Sequence, residues 1–183
     1  VVVAYDTRKH MQEFAREAAT IFARKGIKVY LVDSFSPSPV NVFILRKYKA
    51  SLLINLTASH NGPTWGGFEF FDGRTLGLAH EDINVSITDT LAKTEKVEYL
   101  EDINDPQVKD NIELVNVPLA EYLEYLKVEL GIDFEVIRQA KPRVVVDVQY
   151  GTGVVIKQLV EMLEGQMPGI KDCFVFLHDE PRE

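Results

Sequence analysis

Apolar residues along the chain fall into two recurring patterns: short unbroken runs, and longer stretches spaced by three or four. Val1-Val2-Val3-Ala4-Tyr5 is a run of the first kind, rich in β-branched residues, and predicts a buried strand. Asp6-Thr7-Arg8 follows as a loop. Between His10 and Lys25 the apolar positions are Met11, Phe14, Ala18, Ile21 and Phe22, one stripe of a helix that Gly26 stops. Ile27 to Val32 predicts a second strand. Ser34 to Pro39 reads as a turn, because each proline biases the residue before it away from helix. A helix is predicted from about Val40 to Tyr48, with Val40, Phe43, Ile44 and Tyr48 on one side. Leu52 to Leu56 predicts a third strand, Thr57 to Gly67 a polar loop containing Gly and Pro, Phe68 to Phe71 a short strand, and Asp72-Gly73 a turn.

Glu81 to Lys93 predicts a helix. Residues 94–117 carry no clear period and receive no assignment. Leu119 to Leu130 is a helix closed by Gly131, and Val144-Val145-Val146 is a strand after Lys141-Pro142. Gly151-Thr152-Gly153 turns into a helix from about Val154 to Leu163, and Cys173 to Leu177 is a last strand. Strands alternating with helices place the chain in the α/β class, with a mainly parallel or mixed sheet. The pattern restarts near Pro142, so a domain boundary is expected in the 120s to 130s, bridged by the helix near Leu119. The two domains are taken as residues 1–125 and 126–183. Two strands and one helix are too little for an independent core. The second domain is therefore expected to lack its remainder or to pack against the first. Val1 opens abruptly on a strand, with no Met and no charged leader, so the native N-terminus is expected to lie upstream.

Charge narrows the function. Lys and Arg total 20 against 28 Asp and Glu, a net charge of −8. General binding to nucleic acid or to anionic membranes needs the opposite balance, while a small anionic ligand needs only a local positive pocket. With one cysteine, Cys173, no disulfide forms within the chain, which together with the lack of a recognisable signal peptide points to a reducing cytoplasm. No apolar run approaches the ~20 residues of a membrane span. Oligomeric state is left open.

The chemistry concentrates at Thr57-Ala58-Ser59-His60-Asn61, directly after a buried strand. The carboxyl edge of an open α/β sheet is where ligands bind. On residue chemistry alone, a Ser/Thr/Asn turn satisfying its own backbone is the commoner explanation of such a loop. A Ser-His hydrolase is rejected: adjacent residues rarely place a ring nitrogen on the neighbouring hydroxyl, and no Gly-x-Ser-x-Gly elbow is present. Arg8 is either a bidentate phosphate clamp or a surface ion pair, with Lys9 beside it solvated. Gly151-Thr152-Gly153 is too short to be more than a strand-to-helix turn. His10, His80 and His178 lack metal-ligand spacing and suit solvated or helix-end roles, and Cys173 reads as core.

TASHN after an apolar strand resembles the phosphoserine loop of the α-D-phosphohexomutase superfamily, which includes phosphoglucomutases and phosphomannomutases. Tyr5-Asp6-Thr7-Arg8 is similar to that family's early Asp-x-Arg loop, and Ser36-Pro37-Ser38-Pro39 to its Thr-Pro-Thr-Pro-like segment. Phe68 to Gly73 is similar to the strand and Asp-Gly turn after the serine loop. Tyr122 to Leu126 and Val144 to Gly153 look like the bridge and the opening of the family's second domain. The resemblance implies a three-layer α/β/α phosphoserine domain with a mixed sheet, and the start of a second, metal-binding α/β domain. It also implies that Ser59 carries a transferable phosphate, exchanged with a hexose 1-phosphate or 6-phosphate (glucose or mannose) through a bisphosphate intermediate that also serves as primer. Serine suits this because its oxygen is nucleophile and leaving group in turn. His60 would line the phosphate site or brace the loop, Thr57 and Asn61 would shape the phosphate loop, and Trp65 would sit in the loop or pin it.

The resemblance further implies Mg²⁺ held by the Ser59 phosphate and by three aspartates of an Asp-x-Asp-x-Asp-Arg loop, a string this sequence does not contain. The family's Gly-Thr-x-Gly-x-Arg start and its later sugar and phosphate loops do not occur either. The chain is accordingly expected to be an N-terminal fragment, inactive alone. Glu69 stands where the family has a lysine, and a carboxylate cannot supply that positive charge, though it can act as a base. Two other readings remain: a non-catalytic sugar-phosphate-binding or regulatory protein on the same fold, and an interaction module without a ligand.

Overall fold

The apolar runs at the start of the chain become the middle of a sheet. In the computed structural model, which describes residues 1–181, the strands are β1 (Val2–Tyr5), β2 (Val29–Val32), β3 (Leu52–Leu56), β4 (Phe68–Asp72), β5 (Gly77–Leu78) and β6 (Ile112–Val115). They form one sheet in the order β5-β4-β3-β1-β2-β6. β2 and β3 flank β1 in parallel, β6 joins β2 in parallel, and β4 and β5 continue antiparallel beyond β3. All four residues of β1 are buried, as an apolar strand covered on both faces requires.

Helix α1 (Met11–Arg24) covers one face. Its buried positions are Met11, Ala15, Ala19, Thr20 and Ala23, packed with Val3, Tyr5, Leu31, Ile54 and Leu56. The predicted stripe is rotated: Phe14 is 44% exposed. Alanines spaced by four let the helix lie close to the sheet, which a row of larger side chains would prevent. Helix α2 (Ser38–Lys47) contacts β3 and β1. It buries Val40, Asn41, Ile44 and Leu45 and starts two residues before the predicted onset, because Pro39 is tolerated in the first turn. Helices on both faces of a mixed sheet make the expected three-layer α/β/α unit.

The aperiodic stretch before β6 is held by scattered contacts. Leu100, Ile103 and Val108 pack on the α1 side of the core. The Thr20 hydroxyl donates to the Leu100 carbonyl at 3.1 Å and accepts from its N–H at 3.0 Å. The Asn111 amide donates to the Ala23 carbonyl at 3.1 Å. Helix α3 (Glu81–Leu91) buries no residue.

The first unit ends at Asn116 and a second begins at Val117, nine residues earlier than the predicted boundary after residue 125. The helix read as a bridge, α4 (Leu119–Val128), belongs wholly to the second unit: Leu123 is 2% exposed and packs with Leu159, Leu163 and Ile170. The other elements there are α5 (Phe134–Ala140), β7 (Val144–Asp147), α6 (Val154–Gln166) and β8 (Phe174–Leu177). β7 and β8 pair in parallel. Cys173 is buried, as expected of a core residue. No helix among the described residues is long and apolar enough to cross a membrane.

Candidate functional site

Strand order fixes where a ligand can sit. From β1 the chain moves to one side to form β2 and to the other side to form β3, so the β1 and β3 carboxyl ends flank a topological switch point. The loops leaving those ends carry Arg8 and Ser59. A third segment joins them where the Ser36 N–H donates to the Tyr5 carbonyl at 3.1 Å.

The serine loop is closed at its base by the Thr57 N–H, which donates to the Gly67 carbonyl at 3.0 Å. Within it, the Asn61 N–H donates to the Ala58 carbonyl and the Trp65 N–H to the Gly62 carbonyl, at 3.0 and 3.1 Å. Thr57 is buried, and its hydroxyl accepts the Ser59 N–H at 3.0 Å. Ser59 itself has φ 54°, a left-handed conformation uncommon for a residue with a Cβ and shared by seven other described non-glycine residues. Residues 59–66 are exposed. Trp65 is 65% exposed and does not pin the loop.

Arg8 does the bracing. Its Nε donates to Asp6 Oδ2 at 2.9 Å. One terminal nitrogen donates to the carbonyls of Gly62 and Trp65 at 2.6 and 3.2 Å, and the other to those of Ser59 and Asn61 at 2.9 and 2.8 Å. All five N–H donors of the guanidinium are thereby engaged, and only 12% of the side chain is exposed. In the structure the fork faces the serine loop, and the ion pair Arg8 makes is a largely buried one with Asp6 at 2.9 Å. Arg8 ties the serine loop to the β1 loop through backbone carbonyls.

The His60 Nδ1 lies 3.2 Å from the Ser59 hydroxyl oxygen, contrary to the expectation that neighbours do not meet in this way. Successive side chains point apart only along an extended strand, and the left-handed turn at Ser59 removes that constraint. Both residues are exposed, and no carboxylate orients the ring among the described residues. The pair can exchange a proton but lacks the third member of a hydrolytic triad.

Glu69 pairs directly with Asn55 across β3 and β4 and accepts its side-chain amide at 3.2 Å. The Asn55 amide also donates to the Ser38 hydroxyl at 3.0 Å, and its oxygen accepts from Asn41 at 2.9 Å. Sequence reading missed this network. Its only trace there is a lone Asn inside an apolar strand and another on the apolar face of α2. Asn61 contributes its backbone to the loop. At the β1 end, burial pushes the Tyr5 hydroxyl up from its ordinary value. That hydroxyl donates to the Asp33 carbonyl at 3.0 Å.

The remaining histidines take local roles. His10 and His80 are helix N-cap residues, and His178 Nδ1 lies 2.9 Å from Asp147 Oδ1. No group of three or more His, Cys, Asp or Glu side chains converges to hold a metal ion among the described residues. Of the expected magnesium ligands only Ser59 is found among the described residues, so these residues do not by themselves make up a magnesium site.

The architecture and the loop together define a class: an open, mixed-sheet α/β/α protein that presents a left-handed serine at its switch point. The family described as "Phosphoglucomutase/phosphomannomutase, alpha/beta/alpha domain I" matches residues 1–98. The chain belongs to that family. It is 40% identical over 78 residues, 42% of its length, to a phosphoglucomutase of Staphylococcus epidermidis RP62A. It is 30% identical over 160 residues, 85% of its length, to a phosphoglucomutase of Staphylococcus haemolyticus. A crystal structure of a Thermus thermophilus protein assigned as a phosphomannomutase superimposes on 99% of the chain, with TM-score 0.79 and 25% identity. The chain spans 14% and 28% of the lengths of the two staphylococcal proteins and 37% of the Thermus chain.

Proposed function

We propose that the chain is the serine-bearing part of a phosphohexomutase. In this reading Ser59 takes a phosphoryl group from, and returns it to, the 1- or 6-hydroxyl of glucose or mannose through a bisphosphate intermediate. The observation that carries it is the left-handed Ser59, exposed on a loop whose carbonyls are braced by Arg8, with a proton-exchanging ring nitrogen 3.2 Å from its oxygen. Such an oxygen is accessible to phosphorus and is held without consuming its own hydroxyl in loop architecture. Mg²⁺, which neutralises charge on a transferring phosphoryl group, would take Ser59 phosphate oxygens as ligands, with its other ligands outside the described residues. Hexose 1,6-bisphosphate is the expected primer. The net charge of −8 and a sequence whose one cysteine can form no internal disulfide suit a cytoplasmic enzyme.

The test is a coupled mutase assay on the full-length polypeptide, wild type beside Ser59→Ala, with glucose and mannose 1-phosphates, Mg²⁺ and primer. Turnover abolished by the substitution supports the reading, and a folded wild type without turnover on either sugar refutes it. The 183-residue chain alone is expected to show none. Glu69 favours a second reading. A carboxylate where the resemblance puts a lysine lowers the positive charge of the crevice, and a sugar-phosphate-binding protein without turnover would tolerate that. Saturable calorimetric binding of hexose phosphate without turnover would select it.

A further inference from the structure

Asn55 interrupts a strand that is otherwise built for burial. Leu53, Ile54 and Leu56 around it are 0–3% exposed, and Asn55 itself is 2% exposed. A buried amide is destabilising unless every polar atom finds a partner, and a leucine there would need none. The cost is met by a chain of hydrogen bonds on the α2 side of the sheet. The Ser36 hydroxyl donates to Asn41 Oδ1. Asn41 Nδ2 donates to the Ser36 carbonyl at 3.0 Å and to Asn55 Oδ1 at 2.9 Å. Asn55 Nδ2 donates to Ser38 Oγ at 3.0 Å and to Glu69 Oε2 at 3.2 Å. Both amides use both N–H groups, and no buried side-chain polar atom among the described residues is left without a partner.

The chain has a direction. Hydroxyl, first amide and second amide each donate onward, and the carboxylate of Glu69 is the terminal acceptor. Reversing the Asn55 amide would set its oxygen against Glu69 and deprive Asn41 of its acceptor. Ser36, Asn41 and Asn55 are buried, while Glu69 is partly exposed. Glu69 lies two residues beyond Gly67, the closing point of the serine loop. A buried network that fixes one oxygen of a partly exposed carboxylate beside a ligand loop is a positioning device.

We infer that Asn55 is a positioning residue: it fixes Glu69 Oε2 so that Oε1 accepts a hydrogen bond from a sugar hydroxyl of the bound phosphate ester. The inference rests on the proposal that this crevice takes a hexose phosphate, and it names the part of the ligand that Glu69 meets. A carboxylate repels phosphate oxygens and accepts from hydroxyls, so the contact adds affinity for the sugar and none for inorganic phosphate.

The experiment is calorimetric titration of the folded full-length polypeptide with glucose 6-phosphate, mannose 6-phosphate and inorganic phosphate. Asn55→Leu is expected to weaken sugar-phosphate binding about 5- to 10-fold, the net worth of one ordinary hydrogen bond, and to leave phosphate binding unchanged. Glu69→Met should lower the preference for sugar phosphate over inorganic phosphate likewise, with affinity for inorganic phosphate itself raised by the lost repulsion, and Asn55→Leu should add nothing on top of it. Ser36→Ala loosens the far end of the network without touching Asn55 and should keep the preference for sugar, which a merely structural role would not predict. Equal loss for sugar phosphate and inorganic phosphate, or unchanged sugar-phosphate binding in Asn55→Leu, overturns the inference alone. No sugar-phosphate binding by the wild type overturns the underlying reading, and the inference with it.

Discussion

Replacing Arg8 with methionine separates the two ways an arginine can serve an anion site. In the structure Arg8 is spent on architecture: one bond to Asp6 and four to the carbonyls of Ser59, Asn61, Gly62 and Trp65. Each hydrogen bond from a charged donor contributes on the order of 1.5–3 kcal/mol where water is excluded. Here the accepting carbonyls belong to exposed residues and regain water when the donor is lost, so most of that sum is not realised. Asp6, with 15% of its side chain exposed, loses its ion partner but keeps the Arg8 backbone N–H at 2.9 Å. The net expectation is a loss of about 2–3 kcal/mol, a sizeable fraction of the ~5–15 kcal/mol available to a domain.

Urea unfolding followed by far-ultraviolet circular dichroism measures that loss, and amide exchange shows where it falls. The N–H groups of Ser59, Asn61 and Trp65 should exchange faster, while those of Val3 and Ala4 in β1 should follow global stability only. Arg8→Lys should recover less than half, because one ammonium cannot span four carbonyls. If Arg8 were instead a phosphate clamp, the methionine variant would keep its stability and lose phosphate affinity. A change below about 0.5 kcal/mol with unchanged loop exchange would refute the bracing argument.

Two further outcomes follow from the packing and the charges. Leu123→Ala should destabilise the second unit by about 2–4 kcal/mol, raising amide exchange across β7 while leaving β1 unaffected; equal effects in both would contradict the assignment of α4 to the second unit. Asp72 accepts from Arg74 at 2.6 Å and from the Arg74 backbone, and these bonds hold its carboxyl at about 2, below the ordinary 3.8. A lowered carboxyl contributes stability that is full above its unfolded value and lost as pH falls through its folded one. Asp72→Asn should therefore flatten the fall of the urea midpoint between pH 3.8 and about 2 and leave the profile above that window unchanged. Parallel profiles through the window would refute it.

What could be read from the sequence follows the range of the interactions involved. β1, α1, β3 and α6 declare themselves because burial on one stripe or two faces writes a local period. β6 does not: Ile112-Glu113-Leu114-Val115 is short, lies at the sheet edge with Leu114 55% exposed, and takes its identity from β2, about 80 residues away in sequence. α5 is seven residues long, too short to show a stripe. α4 shows its period plainly, but a period does not reveal which core the stripe faces, and its stripe packs in the unit that begins at Val117.

The site divides along the same line. Ser59 was legible because its neighbours form a contiguous string at a predictable edge of the sheet. The role of Arg8 was not, since its acceptors are backbone carbonyls more than 50 residues away, and carbonyls leave no mark on sequence. Asn41 and Asn55 were visible only as polar exceptions in apolar segments, and their 14-residue separation hides the bond that explains both. The Ser59–His60 approach runs against the expectation that adjacent residues rarely place a ring nitrogen on the neighbouring hydroxyl, and it occurs where Ser59 has a positive φ. In each case the missing information is backbone conformation at the carboxyl edge. There the regular periods of helix and strand end, and the loops of β1, β2 and β3 are free to arrange donors around a serine.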